Sequence, residues 1–253
     1  LIRFEVMKQV VENEAGRVPS ASDRIGGESP LSFDDKREFI DFLVGAGALQ
    51  FGEFTTKSGR KTPYFVNTGR FDDGRKISTL GRWYGKAIIA ADPEIQTVFG
   101  PAYKGVPLAV ATSSAMSEIL NKPVGYTFNR KEAKTHGDGG LFVGFPLHRG
   151  GRVALVEDVI TAGTTMREVL PILSGAGVTV TGVYVAVDRM ERAQDPATGE
   201  LQPFSAVEEV RRSAGVKVYP LITLIDVIEY VRTSENLVHL LPAIEDYRGR
   251  YGI

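Results

Sequence analysis

Residues 152–165 read Arg-Val-Ala-Leu-Val-Glu-Asp-Val-Ile-Thr-Ala-Gly-Thr-Thr, and their order decides the fold. Val153-Ala154-Leu155-Val156 is a short apolar run rich in β-formers, which predicts a strand buried on both faces. Two acids, Glu157 and Asp158, follow at once. Val159-Ile160 leads into a turn, Thr161-Ala162-Gly163-Thr164-Thr165. The apolar spacing then becomes helical at Met166, Val169, Leu170 and Leu173. Strand, acidic pair, turn and helix in that order suit an open parallel sheet, in which ligands bind beyond the carboxyl ends of the strands. The turn offers backbone N–H groups at a helix N-terminus, a ready anion site. Gly163 lets the backbone approach closely, and the threonine hydroxyls add donors. A nucleoside-triphosphate loop would read GxxxxGK[ST], and this stretch has no Lys. Carboxylates beside an anion cradle suit sugar hydroxyls or a hydrated Mg²⁺ instead. Taken alone, the stretch also fits an ordinary strand-to-helix connection with solvated acids and a capping threonine.

The rest of the composition narrows the setting. A chain of 253 residues is long enough for one large domain, or a domain with a small lobe. Its 43% hydrophobic and 24% charged residues are ordinary for a globular protein. The formal net charge of −1 supplies no basic field for nucleic acid. With no cysteine, disulfides, thiolate–zinc sites and a Cys nucleophile are excluded. No apolar run approaches a membrane span, and the start lacks a signal-peptide core, so a cytoplasmic protein is expected. His136, His148 and His239 match no metal motif, and His148 and His239 read as structural or exposed.

Outward from the central stretch, strands and helices alternate. Residues 12–30 are polar, Gly/Pro/Ser-rich and non-periodic, so residues 1–31 read as a flexible leader. Order is expected from Ser32, whose pairing with Asp35 resembles a capping box. Short alternating segments on either side of Ser58-Gly59 predict a hairpin, with Lys57, Arg60 and Lys61 at its tip. Ile77, Leu80, Tyr84, Ile88 and Ala91 mark an amphipathic helix broken by Asp92-Pro93. Thr97–Gly100 is a short strand, and Gly100-Pro101-Ala102-Tyr103-Lys104-Gly105 opens a helix running to Leu120. Pro123–Phe128 is another strand. Residues 129–140 then carry Arg130, Lys131, Lys134 and His136 and end in glycines, the composition of a mobile lid or of a solvated surface loop. Thr179–Val187 is a strand ending in Asp188-Arg189, residues 191–204 are a polar excursion, and Ser205 caps a helix ending at Gly215. Val216–Ile222 is a late strand, Thr223 and Asp226 cap a helix, and the last helix spans roughly 235–248. The expected fold is α/β: a mostly parallel sheet flanked by helices, with a small N-terminal hood of about 32–75 and a core of about 76–253.

The central motif resembles the phosphoribosyl-pyrophosphate signature of the type I phosphoribosyltransferases. Two further strings are similar to the orotate-specific branch: Phe-Gly-Glu-Phe-Thr-x-Lys-Ser-Gly-Arg-x-x-Pro-Tyr-Phe ending at Phe65, and Asn-Arg-Lys-Glu-Ala-Lys-x-His-Gly-x-Gly-Gly ending at Gly140. The resemblance covers roughly Ser32 onward. It implies transfer of phosphoribose from phosphoribosyl pyrophosphate to orotate, giving orotidine 5′-monophosphate and pyrophosphate in pyrimidine synthesis, with Mg²⁺ as cofactor. It also implies a homodimer whose lid closes over the neighbouring subunit's site. By the same resemblance, Glu157 and Asp158 face the ribose hydroxyls, Thr161, Ala162, Gly163, Thr164 and Thr165 hold the 5′-phosphate, and Val159 and Ile160 also contact phosphoribosyl pyrophosphate. Tyr103 and Lys104 lie at the pyrophosphate and base side of the pocket, and Arg130, Lys131, Lys134 and His136 grip the pyrophosphate, with Lys134, His136, Glu157 and Asp158 as the catalytic set. Lys57 serves both substrates, and Phe65, Val66, Thr161 and Arg189 meet orotate. The family commonly has a second aromatic where Val66 stands. No direct protein cage for the metal is implied; Mg²⁺ is carried by pyrophosphate, ribose and water. A purine phosphoribosyltransferase, a regulator on the same fold and a subunit with a degenerate site are the alternatives.

Overall fold

Arg152–Glu157 forms the third strand of a six-stranded sheet, and the four residues from Val153 to Val156 are fully buried. The computed structural model of the protein describes residues 28–56, 59–134, 140–160, 163–194 and 198–253. In chain order the elements are α1 (Phe33–Gly45), β1 (Leu49–Thr55), β2 (Lys61–Val66), a short 3-10 turn (Thr68–Arg70), α2 (Gly74–Ala91), β3 (Thr97–Phe99) and α3 (Gly105–Leu120). They continue as β4 (Gly125–Lys134), β5 (Gly140–Gly144), β6 (Arg152–Glu157), α4 (Thr164–Gly175), β7 (Thr179–Asp188), β8 (Arg192–Gln194) and β9 (Leu201–Ser205). The chain closes with α5 (Ala206–Ala214), β10 (Val218–Thr223), α6 (Leu224–Thr233), a second 3-10 turn (Val238–Leu240) and α7 (Leu241–Tyr251).

The sheet order is β10-β7-β6-β3-β4-β5. Every neighbouring pair is parallel except β4 with β5. Side chains alternate across β6, so Ala154 and Val156 join the larger apolar cluster while Val153 and Leu155 join the smaller one. The smaller cluster is closed by Met166, Val169, Leu170 and Leu173, the helical stripe of α4. Each such side chain stabilises the fold by about 1.5–3 kcal/mol on burial. The two faces therefore explain why an unbroken apolar run is needed at this place in the chain.

The N-terminal hood is an antiparallel hairpin, β1 with β2, preceded by α1 with its Ser32–Asp35 capping box. It is not set apart from the core. Phe39, Ile40, Leu43 and Tyr64 share one apolar cluster with Ile228, Ile244 and Tyr247. Lys36 of α1 also reaches Asp226 of α6 at 3.0 Å.

Four boundaries differ from the sequence reading. Packing begins before Ser32: the Ser29 hydroxyl donates to the Leu221 carbonyl at 2.7 Å, and Leu31 is buried. The strand expected to stop at Phe128 runs on to Lys134, because β5 returns antiparallel and satisfies its backbone groups, Phe128 against Val143 and Asn129 against Phe142. The first half of the expected lid is thus the end of β4, next to the edge strand β5. The polar excursion 191–204 contains an antiparallel pair, β8 with β9. The last helix begins only at Leu241, where Pro242 fits a first turn that needs no N–H from it. Among the described residues no helix is long and apolar enough to cross a membrane.

Candidate active site

Parallel pairing brings the carboxyl ends of β7, β6, β3 and β4 to one edge of the sheet. The chain steps from β3 to β4 on one side and from β6 to β7 on the other, so the order reverses between β3 and β6. A crevice at such a reversal is the standard ligand site of an open α/β sheet. Glu157 and Asp158 stand at the end of β6, and the loop 100–104 stands at the end of β3. The two motifs therefore flank that crevice.

The acidic pair is held from several sides. The Tyr84 hydroxyl, buried in α2, donates to the Glu157 carbonyl at 2.7 Å. The Asp158 amide donates to Glu157 Oε1 at 3.2 Å. Asp158 Oδ2 accepts from Thr68 Oγ1 at 2.6 Å and from Lys104 Nζ at 3.1 Å, and Oδ1 accepts from the Val159 amide at 2.8 Å. The pair splits electrostatically. Burial, aided by the Asp158 charge, pushes the Glu157 carboxyl up to about 8. Burial pushes Asp158 up as well, but hydrogen bonds from Thr68, the Val159 amide and Lys104 outweigh it and hold it below the usual carboxylate range. One carboxylate is thus fixed as an anion beside a carboxyl that titrates near neutrality.

Gly163 adopts φ +64° at the start of α4, a conformation an L side chain rarely takes, and no side chain caps that helix. A helix N-terminus of this kind can receive an anion. Thr164 Oγ1 accepts from Arg167 at 3.4 Å, and Arg167 pairs with Glu209 of α5 at 2.9 Å. On the other bank, Gly100 and Gly105 close against each other: a Cβ on Gly100 would sit 2.0 Å from the Gly105 carbonyl oxygen. The Ala102–Tyr103 peptide is cis. The Ala102 amide donates to Asn129 Oδ1 at 3.1 Å, which ties this loop to β4. Tyr103 is 70% exposed, and Lys131 Nζ lies 4.7 Å from its ring centre. Arg130 keeps a buried Nε without a hydrogen-bond partner among the described residues.

Of the expected site residues, Lys104 and Asp158 are in direct contact, and Tyr103 meets Lys131. Phe65 stacks on Phe54 across the hairpin at 5.5 Å, while Val66 packs on the core. Arg189 follows β7 and pairs with Glu191 at 2.5 Å. Lys57, His136, Thr161, Ala162 and the side chain of Lys134 lie outside the described residues. Thr68, Tyr84 and Glu191 were missed from sequence. Thr68 and Tyr84 act across 90 and 73 residues of chain, so no local spacing announces them. Glu191 sits two residues beyond Arg189, and that proximity was the one available signal. The pair offers hard oxygen ligands of the type Mg²⁺ accepts, and among the described residues no group of three or more ligating side chains stands together.

A phosphoribosyl transferase domain model matches residues 75–219. The chain is 47% identical over 218 residues to the orotate phosphoribosyltransferase of Cronobacter sakazakii, covering 86% of this chain and 98% of that one. It is 48% identical over 218 residues to the enzyme of that name from Nitrosospira multiformis, covering 86% and 91%. A crystal structure of orotate phosphoribosyltransferase from Francisella tularensis superposes with a TM-score of 0.74 at 34% identity, over 85% of this chain and 100% of that one. The chain belongs to the orotate phosphoribosyltransferases.

Proposed function

We propose that the crevice between β3 and β6 carries out this family's transfer by binding phosphoribosyl pyrophosphate across its two banks and orotate beside β7. The observation that carries the reading is the split acidic pair with Thr68 and Lys104 closed on Asp158. The α4 N-terminus and the residues of the central motif that precede it take the 5′-phosphate. Glu157 and Asp158 accept the ribose hydroxyls. Asp158, an anion throughout the working range, stabilises positive charge developing on the ribose ring as its bond to pyrophosphate breaks. Lys104, Arg130 and Lys131, with Lys134 and His136, take the leaving pyrophosphate. Tyr103 lines that side, Lys57 serves both substrates, and Phe65 and Val66 form the wall for the flat base. Arg189 meets its carboxylate. Orotate attacks as its anion, so no strong general base is required. Mg²⁺ fits as a cofactor carried by the substrate, with Asp158 and Glu157 as its carboxylate neighbours, and supplies countercharge for the departing polyanion.

The reading extends to a homodimer in which residues 129–140 reach the neighbour's site. Exposed apolar side chains support it: Val110 and Ile119 on α3, Tyr126 on β4 and Phe145 just after β5 are each more than a third exposed. The small charged substrates, which do not cross a membrane unaided, support a cytoplasmic setting. The alternatives are separated by a panel of bases with phosphoribosyl pyrophosphate. Turnover of orotate with none of adenine, guanine or hypoxanthine supports the reading, and turnover of a purine in its place would overturn it.

A further inference from the structure

Arg189 is not left to find its own position. Its Nη2 lies 2.5 Å from Glu191 Oε1, its guanidinium carbon lies 5.6 Å from the Tyr64 ring centre, and its buried Nε finds no hydrogen-bond partner among the described residues. Glu191 is itself fixed: the Tyr64 hydroxyl donates to Oε1 at 3.0 Å and the Tyr247 hydroxyl at 3.1 Å. Tyr64 comes from the hairpin and Tyr247 from α7, and their rings meet edge-on at 5.9 Å. The intervening residue, Met190, takes φ +51°, which is uncommon for a side chain of its kind. Its amide donates to Asp188 Oδ1 at 2.8 Å, its carbonyl accepts from the Ile253 amide at 3.0 Å, and Glu191 bridges to Gly252. A reversed backbone, a carboxylate and two phenols from distant elements converge on one arginine.

We propose that Glu191 is a positioning residue for base recognition, locked by Tyr64 and Tyr247 so that Arg189 presents its remaining donors to the carboxylate of the incoming base. This rests on the reading that Arg189 meets that carboxylate. A free arginine samples many rotamers, and ordering it on binding weakens affinity. Glu191 occupies Nη2 and removes that freedom beforehand, while Nε keeps an unused donor. A bare carboxylate beside the arginine would also blunt its attraction for an anion. The two phenols donate into Glu191 and spread its charge, which keeps the arginine effective. Recognition of the base thereby depends on α7 and on residues 247–253, which lie outside the central motif.

The test is steady-state kinetics on the full chain, as wild type, Arg189→Ala, Glu191→Gln, Tyr247→Phe and the double variant Arg189→Ala/Glu191→Gln. Glu191→Gln should raise KM for orotate about tenfold, and Tyr247→Phe about threefold, with KM for phosphoribosyl pyrophosphate unchanged within about twofold. The double variant should be no worse than Arg189→Ala alone, because the effect passes through the arginine. Tyr247→Phe removes a single oxygen and guards against a variant that does not fold. Unchanged KM for orotate in both Glu191→Gln and Tyr247→Phe overturns the proposal. So does a double variant in which the losses add in full. Wild-type KM for orotate in Arg189→Ala removes instead the reading on which the proposal rests.

Discussion

Replacing Glu157 by Gln should make the protein progressively more stable than wild type as the pH rises. The folded carboxyl titrates at about 8 against an ordinary 4.5, because burial disfavours its charge and Asp158 repels it. Between those values the folded state holds a proton that the unfolded chain has released. Stability attributable to this group therefore falls as pH rises through the interval, and the loss is complete above about 8. At about 1.4 kcal/mol per pH unit, the interval sets a ceiling of about 5 kcal/mol. Glu157 retains 8% exposure, and local relaxation reduces the figure to about 2–4 kcal/mol. Gln keeps the oxygen that accepts the Asp158 amide but cannot ionise. Urea unfolding of both proteins at half-unit intervals from about pH 5 to about pH 8.5 gives the difference directly. That difference should grow by about 2–4 kcal/mol across the range. A difference that stays flat would refute the claim that the acidic pair is split by burial.

Other consequences can be checked separately. Tyr84→Phe deletes the buried donor to the Glu157 carbonyl and should cost about 1–2 kcal/mol in urea unfolding. Gly100→Ala forces a Cβ to within 2.0 Å of the Gly105 carbonyl oxygen and should cost about 3 kcal/mol or more, seen as a large fall in Tm. Lys104→Ala removes a side chain that is 73% exposed, so stability should change by less than about 1 kcal/mol, while KM for phosphoribosyl pyrophosphate rises about tenfold. If Mg²⁺ is carried by the substrate as proposed, its chelation should stop turnover and leave Tm unchanged, with activity restored by the ion.

The order of elements was legible because hydrophobic period and turn chemistry agree along this chain. The unbroken apolar run at Val153–Val156, the stripe Met166–Leu173 and the Ser32 and Thr223 caps each fix an element from residues close in sequence. Strand β5 was not legible, since Leu141-Phe142-Val143 is too short to declare a partner, and it carried β4 six residues beyond its expected end. The site divided in the same way. Glu157 and Asp158 stand out in the local motif, and Lys104 and Arg189 are named through the family resemblance. Their partners could not be named, because Thr68, Tyr84 and Tyr247 reach them only through the folded core.

The most direct test of the central claim follows orotate by its ultraviolet absorbance, with phosphoribosyl pyrophosphate and Mg²⁺, beside a sample lacking the sugar donor. The account predicts loss of orotate only with the donor present, matched by release of pyrophosphate. Folded protein that leaves orotate untouched in both samples would contradict it.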